Sequence, residues 1–275
     1  MATLKKDEYE EGACCFEKPV PGPDTLPCPT ALSVPDTVAK LDGLLEKGEL
    51  EAGKKLLESA LDTARAAGDW RSELSLLSEL MGLLRRTGDS GEALTAVKDG
   101  LAIISAHKLG GTVSGATVTL NAATTLKAFG RAEESLPLFD EVLRVFAEEL
   151  DPGDYRFAGL YNNMALSLAD TGDFSAAESC FLRAMSVIRT CPAPENELAV
   201  TCCNLAELYE RTDPEDERIS ERMEEAWRYL DAPDLPKDGY YAFTASKCAP
   251  TFGHFGFFIY EKELLARVRK IYEGA

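Results

Sequence analysis

The sequence has no long apolar stretch. No window offers the roughly 20 consecutive apolar residues that a membrane-spanning helix requires. The N-terminal residues MATLKKDEYEEGACCFEKPV also contain no apolar segment of signal-peptide length. We therefore expect a protein that has no membrane partner and stays in the cytoplasm.

Basic residues are scarce. The chain has 29 Lys and Arg against 47 Asp and Glu, which gives a formal net charge of −18. Binding to a phosphate backbone depends on Lys and Arg side chains that displace counterions, so nucleic acid is not an expected partner. The acidic excess favours solubility and can steer basic or polar partners toward the chain.

Metal-binding and catalytic motifs are missing as well. The two histidines, His107 and His254, have no Cys or His at metal-ligand spacing, and the eight cysteines form no CxxC pair. There is no Gly-rich phosphate loop, and no nucleophile has a recognisable base nearby in a motif. We therefore expect no enzymatic activity, no metal and no cofactor.

Residues 1–34 differ in composition from the rest of the chain. Between residues 18 and 35 there are six prolines, which remove amide donors and fix an extended backbone, so no helix can run through them. Cys14, Cys15 and Cys28 could chelate a metal, but a fourth ligand is missing and reduced thiols are expected. We predict a Pro-rich, Cys-bearing tail or strap over 1–34 and a first helix that begins near Asp36, after Pro35.

A helical pattern returns every forty-odd residues. One hydrophobic column consists of Leu57, Val97, Phe139, Phe181, Met223 and Leu265, with steps of 40 once and then 42 four times. Three residues after each member stands a mostly small side chain: Ala60, Gly100, Val142, Ala184, Ala226 and Val268. Such a period indicates supersecondary units that bury their apolar faces by stacking on their neighbours. The sequence therefore predicts an all-α solenoid, one continuous array over residues 35–275.

Each repeat has a break between two helical segments. The breaks fall at Lys47-Gly48, Thr87-Gly88-Asp89, Phe129-Gly130, Thr171-Gly172-Asp173, Thr212-Asp213-Pro214 and Phe255-Gly256. Glycine accepts the left-handed conformation that ends a helix, and aspartate caps the helix that follows. Six breaks match six rows, so about six helical hairpins are predicted.

The fourth row resembles the tetratricopeptide repeat (TPR) family. The matching residues are Asn163-Met164-Ala165, Gly172-Asp173-Phe174, Ala177, Phe181 and Ala184. The resemblance covers about residues 36–275, is weaker in the first and last rows, and implies a right-handed α-α superhelix. The period of 42 exceeds the usual TPR length of about 34. It is similar to the long-helix subtype of kinesin light chains and of many bacterial repeat proteins.

A polar column on the first helices is the candidate site. It consists of Asn121, Asn163, Asn204 and Lys247, each two residues before an alanine. In TPR proteins the first helices line the concave surface, and an Asn at this position hydrogen-bonds the backbone of an extended peptide; the resemblance implies the same groove here. Lys247 could receive a carboxylate, and two further basic candidates are Lys127 and Arg211. The alternative is that the asparagines brace neighbouring helices.

Residues 238–275 form the least ordinary row. The stretch from Tyr240 to Tyr260 is rich in aromatic residues and contains Pro250 within the expected first helix, where proline should kink the helix or end it early. The aromatics could form a ligand pocket, but a capping repeat is favoured because a solenoid must cover its terminal face. Cys248 is interpreted as a packed thiol.

Three functional hypotheses follow. The first is a non-catalytic scaffold that binds a protein or an extended peptide in the concave groove. The second is a peptide-sensing regulator without its own DNA-binding domain, since only about 34 Pro-rich residues precede the array. The third is a structural protein that self-associates into a homo-oligomer through the tail or the aromatic row.

Overall fold

The structure is a computed structural model that describes residues 32–46 and 48–273, and within them the chain forms twelve helices and no strand. The helices are α1 (Val34–Glu46), α2 (Leu50–Ala67), α3 (Trp70–Thr87), α4 (Ser90–Ala106), α5 (Val113–Ala128), α6 (Ala132–Glu149), α7 (Arg156–Asp170), α8 (Phe174–Ile188), α9 (Glu195–Thr212), α10 (Glu217–Leu230), α11 (Gly239–His254) and α12 (Phe258–Glu273). The all-α prediction is confirmed. None of the helices in the described ranges is both long and apolar enough to cross a membrane.

Contacts within the chain define two compact units. One contains α1 to α6 and ends at Pro152; the other begins at Gly153 and contains α7 to α12. In each unit, consecutive helices pair as hairpins, α1 with α2, α3 with α4 and so on, and each hairpin also contacts the next one in its unit. The predicted helical hairpins are therefore present, three in each unit of the described chain.

All six predicted breaks separate the two helices of a hairpin. Glycines with positive φ occupy five of them: Gly48, Gly88, Gly130, Gly172 and Gly256. The aspartates after two of these glycines are N-caps, as predicted, because Asp89 Oδ1 accepts from the Glu92 amide at 3.2 Å and Asp173 Oδ1 from the Ala176 amide at 3.1 Å.

The first helix begins slightly earlier than predicted. It starts at Val34, so Pro35 lies in its first turn, where the missing amide of proline costs no helical hydrogen bond. Ser33 Oγ accepts from the Asp36 amide at 3.3 Å and caps this turn. The remainder of the predicted tail, with Cys14, Cys15 and Cys28, lies outside the described residues.

The hydrophobic column packs the second helix of each hairpin. Five of its six members are buried, from Leu57 to Met223, with at most 4% of their surface exposed. Leu265 was expected to be the sixth, and this is wrong: it is 45% exposed, whereas the preceding residue, Leu264, is fully buried. In α12 the buried positions are Leu264 and Val268, four residues apart, so the inward stripe is shifted by one residue.

The small column lets neighbouring helices approach closely. A Cβ atom added at Gly100 in α4 would lie 2.9 Å from Met81 Cε in α3. Gly53 in α2 lies outside this column but is similarly close to its neighbour, because a Cβ atom added there would lie 2.9 Å from Leu41 Cδ1 in α1. Real Cβ atoms essentially never approach another atom so closely. A larger residue at either position would therefore displace the end of the Met81 or the Leu41 side chain.

Two helices contain an internal proline. Pro250 lies within α11, which continues to His254, so the expected early end of this helix is wrong. Pro137 lies within α6 and was not predicted to fall inside a helix. A proline at such a position removes one backbone hydrogen bond, and the packing of the flanking residues, such as Phe139 and Phe252, keeps both helices continuous.

The glycines allow a test of backbone conformation without a change in packing. Gly43 lies within α1 and Gly88 has φ +78°, and a Cβ atom would meet nothing within 4 Å at either residue. We expect Gly43→Ala to raise the free energy of unfolding by about 0.5–1 kcal/mol, because alanine has the higher helix propensity. Gly88→Ala should lower it by about 1 kcal/mol, because L-residues resist positive φ.

Urea unfolding followed by circular dichroism measures both effects. Both residues lie in the same unit of the chain, so each variant is a control for the other. Changes of the same sign in the two variants would contradict the assignment of Gly88 to a left-handed helix end.

Candidate functional site

Asn121 is a buried tie between two first helices. It lies in α5 with 5% of its surface exposed, and its Nδ2 donates to Ser78 Oγ in α3 at 2.7 Å. Its Oδ1 is buried and has no hydrogen-bond partner among the described residues. This contact is the bracing arrangement that the sequence left open as the alternative to ligand binding.

Asn163 also lies inside the fold. It is 2% exposed in α7, and its Nδ2 donates to the carbonyl oxygen of Gly159 in the same helix at 3.1 Å. Leu160 and Ala165, on either side of Asn163 in α7, are also buried. The second predicted asparagine is therefore not accessible to a ligand in this conformation.

Asn204 differs from the other two asparagines. It lies in α9 and is half-buried, and among the described residues its carboxamide forms no hydrogen bond. Both its donor and its acceptor are therefore available. Of the three aligned asparagines, only Asn204 combines partial exposure with an unpaired side chain.

The three basic candidates have different environments. Lys247 is exposed on α11, with its ammonium 4.4 Å from the centre of the Phe243 ring. Arg211, at the end of α9, donates to the carbonyl oxygen of Ala169 at 2.7 Å and to Asp170 Oδ1 at 3.3 Å, so it caps the end of α7. Lys127 is half-buried in the last turn of α5, in the other unit from Lys247 and Arg211.

The first helices of residues 153–273 present one accessible face, which we call the first-helix face. Its members are partly or fully exposed and recur at helical spacing: Tyr161, Met164 and Leu168 on α7, Asn204, Glu207 and Arg211 on α9, and Phe243, Lys247, Pro250 and His254 on α11. Residues three or four apart lie on the same side of a helix, so each helix contributes one stripe. Since α9 contacts both α7 and α11, the three stripes are neighbours.

Polar contacts join these three helices beside the first-helix face. Asn162 donates to Thr201 Oγ1 at 3.2 Å, Tyr240 donates to Glu197, Thr251 donates to Glu207 Oε1 at 2.9 Å, and His254 Nε2 lies 2.7 Å from Glu210 Oε1. The partners are 39 to 44 residues apart, close to the repeat period. These pairings were not predicted from the sequence; polar residues at that separation were the signal that could have identified them.

Charge on the first-helix face and beside it is mixed. The Glu197 carboxyl is partly buried, and burial raises its pKa although the Tyr240 hydroxyl donates to it and opposes the shift. Glu207 and Arg211 are exposed on the same stripe of α9. Together with the aromatic and aliphatic side chains on α7 and α11, these groups can contact both a polar backbone and apolar side chains of a ligand.

The aromatic residues of the last row pack against each other. The Trp227 and Tyr260 rings stack with centroids 4.1 Å apart, and Phe252 meets both rings edge-on. The Arg267 guanidinium lies 5.2 Å from the Trp227 ring centre, and it donates a hydrogen bond to the Tyr241 hydroxyl at 3.1 Å. These contacts join α10, α11 and α12.

The buried thiols pack as small apolar groups. Cys202 and Cys203 in α9 and Cys248 in α11 are each at most 4% exposed and form no disulfide. A hydrogen bond with Cys248, together with burial, raises the pKa of the Cys203 thiol, and burial raises the pKa of the Cys202 thiol. In the described part of the chain, no three His, Cys, Asp or Glu side chains are grouped so as to hold a metal ion.

Alanine substitutions can distinguish an asparagine that braces the fold from one that does not, by their effect on the free energy of unfolding. We expect Asn121→Ala to lower the free energy of unfolding by about 1 kcal/mol, because it leaves the partly buried Ser78 hydroxyl without its partner. Asn204→Ala should change it by less than about 0.5 kcal/mol, since no hydrogen bond is lost. Thermal unfolding followed by circular dichroism measures both. Equal losses would show that Asn204 also braces the fold.

The raised pKa of Glu197 predicts that the free energy of unfolding depends on pH. Its pKa is raised in the folded state, so the folded chain binds this proton more tightly than the unfolded chain does. Its contribution to stability is therefore present at low pH and is lost as the pH rises from about 4.3, the ordinary glutamate value, through the raised pKa. Glu197→Gln, which stays neutral and can still accept from Tyr240, should flatten this decline in urea unfolding measured between pH 4 and 7. A decline parallel to that of the wild type would contradict the assignment, and Glu224→Gln controls for the loss of one exposed carboxylate on α10.

Comparison with known proteins places the fourth hairpin in a described family. A family model for the tetratricopeptide repeat matches residues 157–190, which span α7 and α8. No curated protein matches the sequence. The match covers the row in which the sequence motif was read most closely, so the predicted resemblance to TPR proteins is confirmed.

Solved structures extend the similarity to most of the chain. BtubC (BKLC) from P. vanneervenii has a TM-score of 0.57 at 17% identity, over 82% of this chain and 91% of that one. The nearly identical TPR-like repeats attributed to a kinesin light chain of Podosopora anserina have a TM-score of 0.50 at 18% identity, over 72% and 94%. The MamA RS-1 ArsTM double mutant has a TM-score of 0.50 at 16% identity, over 74% and 97%. The chain thus carries a tetratricopeptide repeat at residues 157–190 and has the helical-repeat fold of TPR proteins.

Proposed function

We propose that the chain is a non-catalytic scaffold that binds an extended segment of a partner protein on the first-helix face of α7, α9 and α11. The observation that carries this proposal is the Asn204 carboxamide, which is partly exposed and forms no hydrogen bond within the described residues. A carboxamide offers both a donor and an acceptor, so it can pair with a peptide unit whatever side chain that unit bears.

The surroundings of Asn204 suit a polypeptide ligand. On α7, Tyr161, Met164 and Leu168 provide apolar surface, and on α11 the exposed Lys247 can receive a carboxylate of the ligand. The polar contacts between α7, α9 and α11 hold the three stripes in place, so the face is preorganised and little order has to be gained on binding.

In this proposal, only two members of the predicted polar column bind the ligand. Asn204 and Lys247 are its accessible members, whereas Asn121 and Asn163 are buried and hydrogen-bonded. Arg211 is engaged with the end of α7, so it positions that helix beside the face. The thiols of Cys202, Cys203 and Cys248 are reduced and buried, which suits a reducing compartment such as the cytoplasm.

Selection of peptides on the protein tests this proposal. Random dodecapeptides displayed on phage are selected against the full chain, and the affinities of the selected peptides are measured by isothermal titration calorimetry. We expect Asn204→Ala to weaken binding about tenfold, since it leaves polar groups of the ligand backbone unpaired. Lys247→Ala should weaken peptides that present a carboxylate to this face.

Arg228→Ala is the matched control for Lys247→Ala. Arg228 is exposed on α10, away from the first-helix face, and its substitution removes the same charge. Unchanged affinity in Asn204→Ala, or equal losses in the Lys247 and Arg228 variants, would overturn the proposal.

Self-association is a second candidate function, favoured by the last helix. Three large apolar residues of α12 are exposed: Phe258 at 60%, Ile259 at 81% and Leu265 at 45%. Apolar side chains grouped on one helix are typical of an interface. Light scattering after size exclusion at several concentrations would detect an oligomer, and Ile259→Lys should dissociate it; a monomer at all concentrations would exclude this function.

A further inference from the structure

A groove between α2 and α4 belongs to the unit that ends at Pro152, whereas the first-helix face belongs to the other unit. Both helices pack on α3, and between them is a cavity of about 230 Å³. Its apolar lining comes from the buried side chains of Leu61, Leu77, Leu80 and Ala96. The remaining lining includes four carboxylates, Glu58, Asp62, Glu92 and Asp99, and one guanidinium, that of Arg65.

Ion pairs bridge α2 and α4 on both sides of this cavity. Lys54 Nζ of α2 lies 2.6 Å from Glu92 Oε2 of α4. Eleven residues further along α2, the Arg65 guanidinium lies 2.8 Å from Asp99 Oδ2 of α4. Three turns of helix separate the two bridges, because each turn takes 3.6 residues.

Between the two bridges, α2 carries acids in place of a cation. Glu58 is exposed and has no polar partner among the described residues. Asp62 is exposed and forms no hydrogen bond with a described residue, but its carboxylate interacts electrostatically with Arg65. Opposite them, α4 presents the neutral Thr95. Two carboxylates four residues apart on a helix repel each other. The series of cation–carboxylate pairs is therefore interrupted where the groove is open to solvent.

We propose that this groove binds a Lys or Arg side chain of a partner protein. The aliphatic stem of such a side chain would lie on Leu61, Leu77 and Leu80, and its charged end would lie between Glu58 and Asp62. The net charge of −18 attracts a cationic partner at long range. A metal ion does not suit the groove, since no three potential ligand side chains of the described residues are grouped to hold one.

A peptide with lysines and apolar residues probes the groove. The probe is a fluorescein-labelled dodecapeptide of three Lys-Ala-Leu-Ala repeats, and binding to the full chain is followed by fluorescence anisotropy at 0.15 M salt. We expect Glu58→Gln combined with Asp62→Asn to weaken binding about tenfold, because two charge-assisted contacts lose their charge. The control is Glu133→Gln combined with Asp140→Asn, which changes two exposed, unpaired carboxylates of α6 in the same unit. Equal losses in the two double variants would show attraction by net charge alone and would overturn the proposal.

A lysine within the groove provides an independent test. Thr95→Lys places an ammonium opposite Glu58 and Asp62, so it should weaken peptide binding about tenfold and raise the midpoint of thermal unfolding. Unchanged peptide affinity in this variant would overturn the proposal.

Binding of spermidine, measured alone, tests whether the groove takes a small cation instead of a protein side chain. If spermidine alone binds the groove as tightly as the peptide does, the occupant is a small cation and the proposal of a protein side chain is wrong.

Asn204 and Lys247 lie in the other unit, so their substitution should leave peptide binding to the groove unchanged. A failure of the groove proposal is therefore distinguishable from a failure of the proposed binding on the first-helix face.

Discussion

The close packing of small against large side chains between neighbouring helices is the constraint on which the rest of this structure depends. Gly100 has no room for a Cβ atom because Met81 Cε occupies that space, and Phe139 and Phe181 are enclosed in the same columns of their own hairpins. An interior packed at this density cannot take up an extra methyl group without a shift of its neighbours. The spacing of helices, and with it the position of every accessible stripe, follows from these contacts.

Hydrogen bonds between first helices fix the orientation of the packed helices. The pairs Asn121 with Ser78, Asn162 with Thr201 and Thr251 with Glu207 each join equivalent helices of successive hairpins. Apolar burial is proportional to area and tolerates small rotations, whereas a hydrogen bond requires a defined distance and angle. The polar pairs therefore orient helices that the apolar columns bring together.

Two surfaces of different chemistry result, one in each unit. The first-helix face around Asn204 combines an unpaired carboxamide with apolar and basic neighbours, which suits a peptide backbone. The groove between α2 and α4 combines a buried apolar lining with the exposed carboxylates of Glu58 and Asp62, which form no hydrogen bond with a described residue, and this combination suits a cationic side chain. Both proposals depend on a polar group that lacks the partner its equivalents have in the same fold.

The sequence by itself determined the helical hairpins, their breaks and the packing columns. Each helix contacts mainly its neighbours in the chain, so the requirements of packing recur at a fixed period and can be read from Gly88, Gly172 or Phe181. The column fails once, in α12, where Leu264 is buried in place of Leu265 because the inward stripe is shifted by one residue. Only the tertiary structure decided which asparagine is accessible, because Asn121, Asn163 and Asn204 are equivalent in sequence. The difference between them lies in what the adjacent helix places opposite each side chain, and no residue type or spacing within a single row records that.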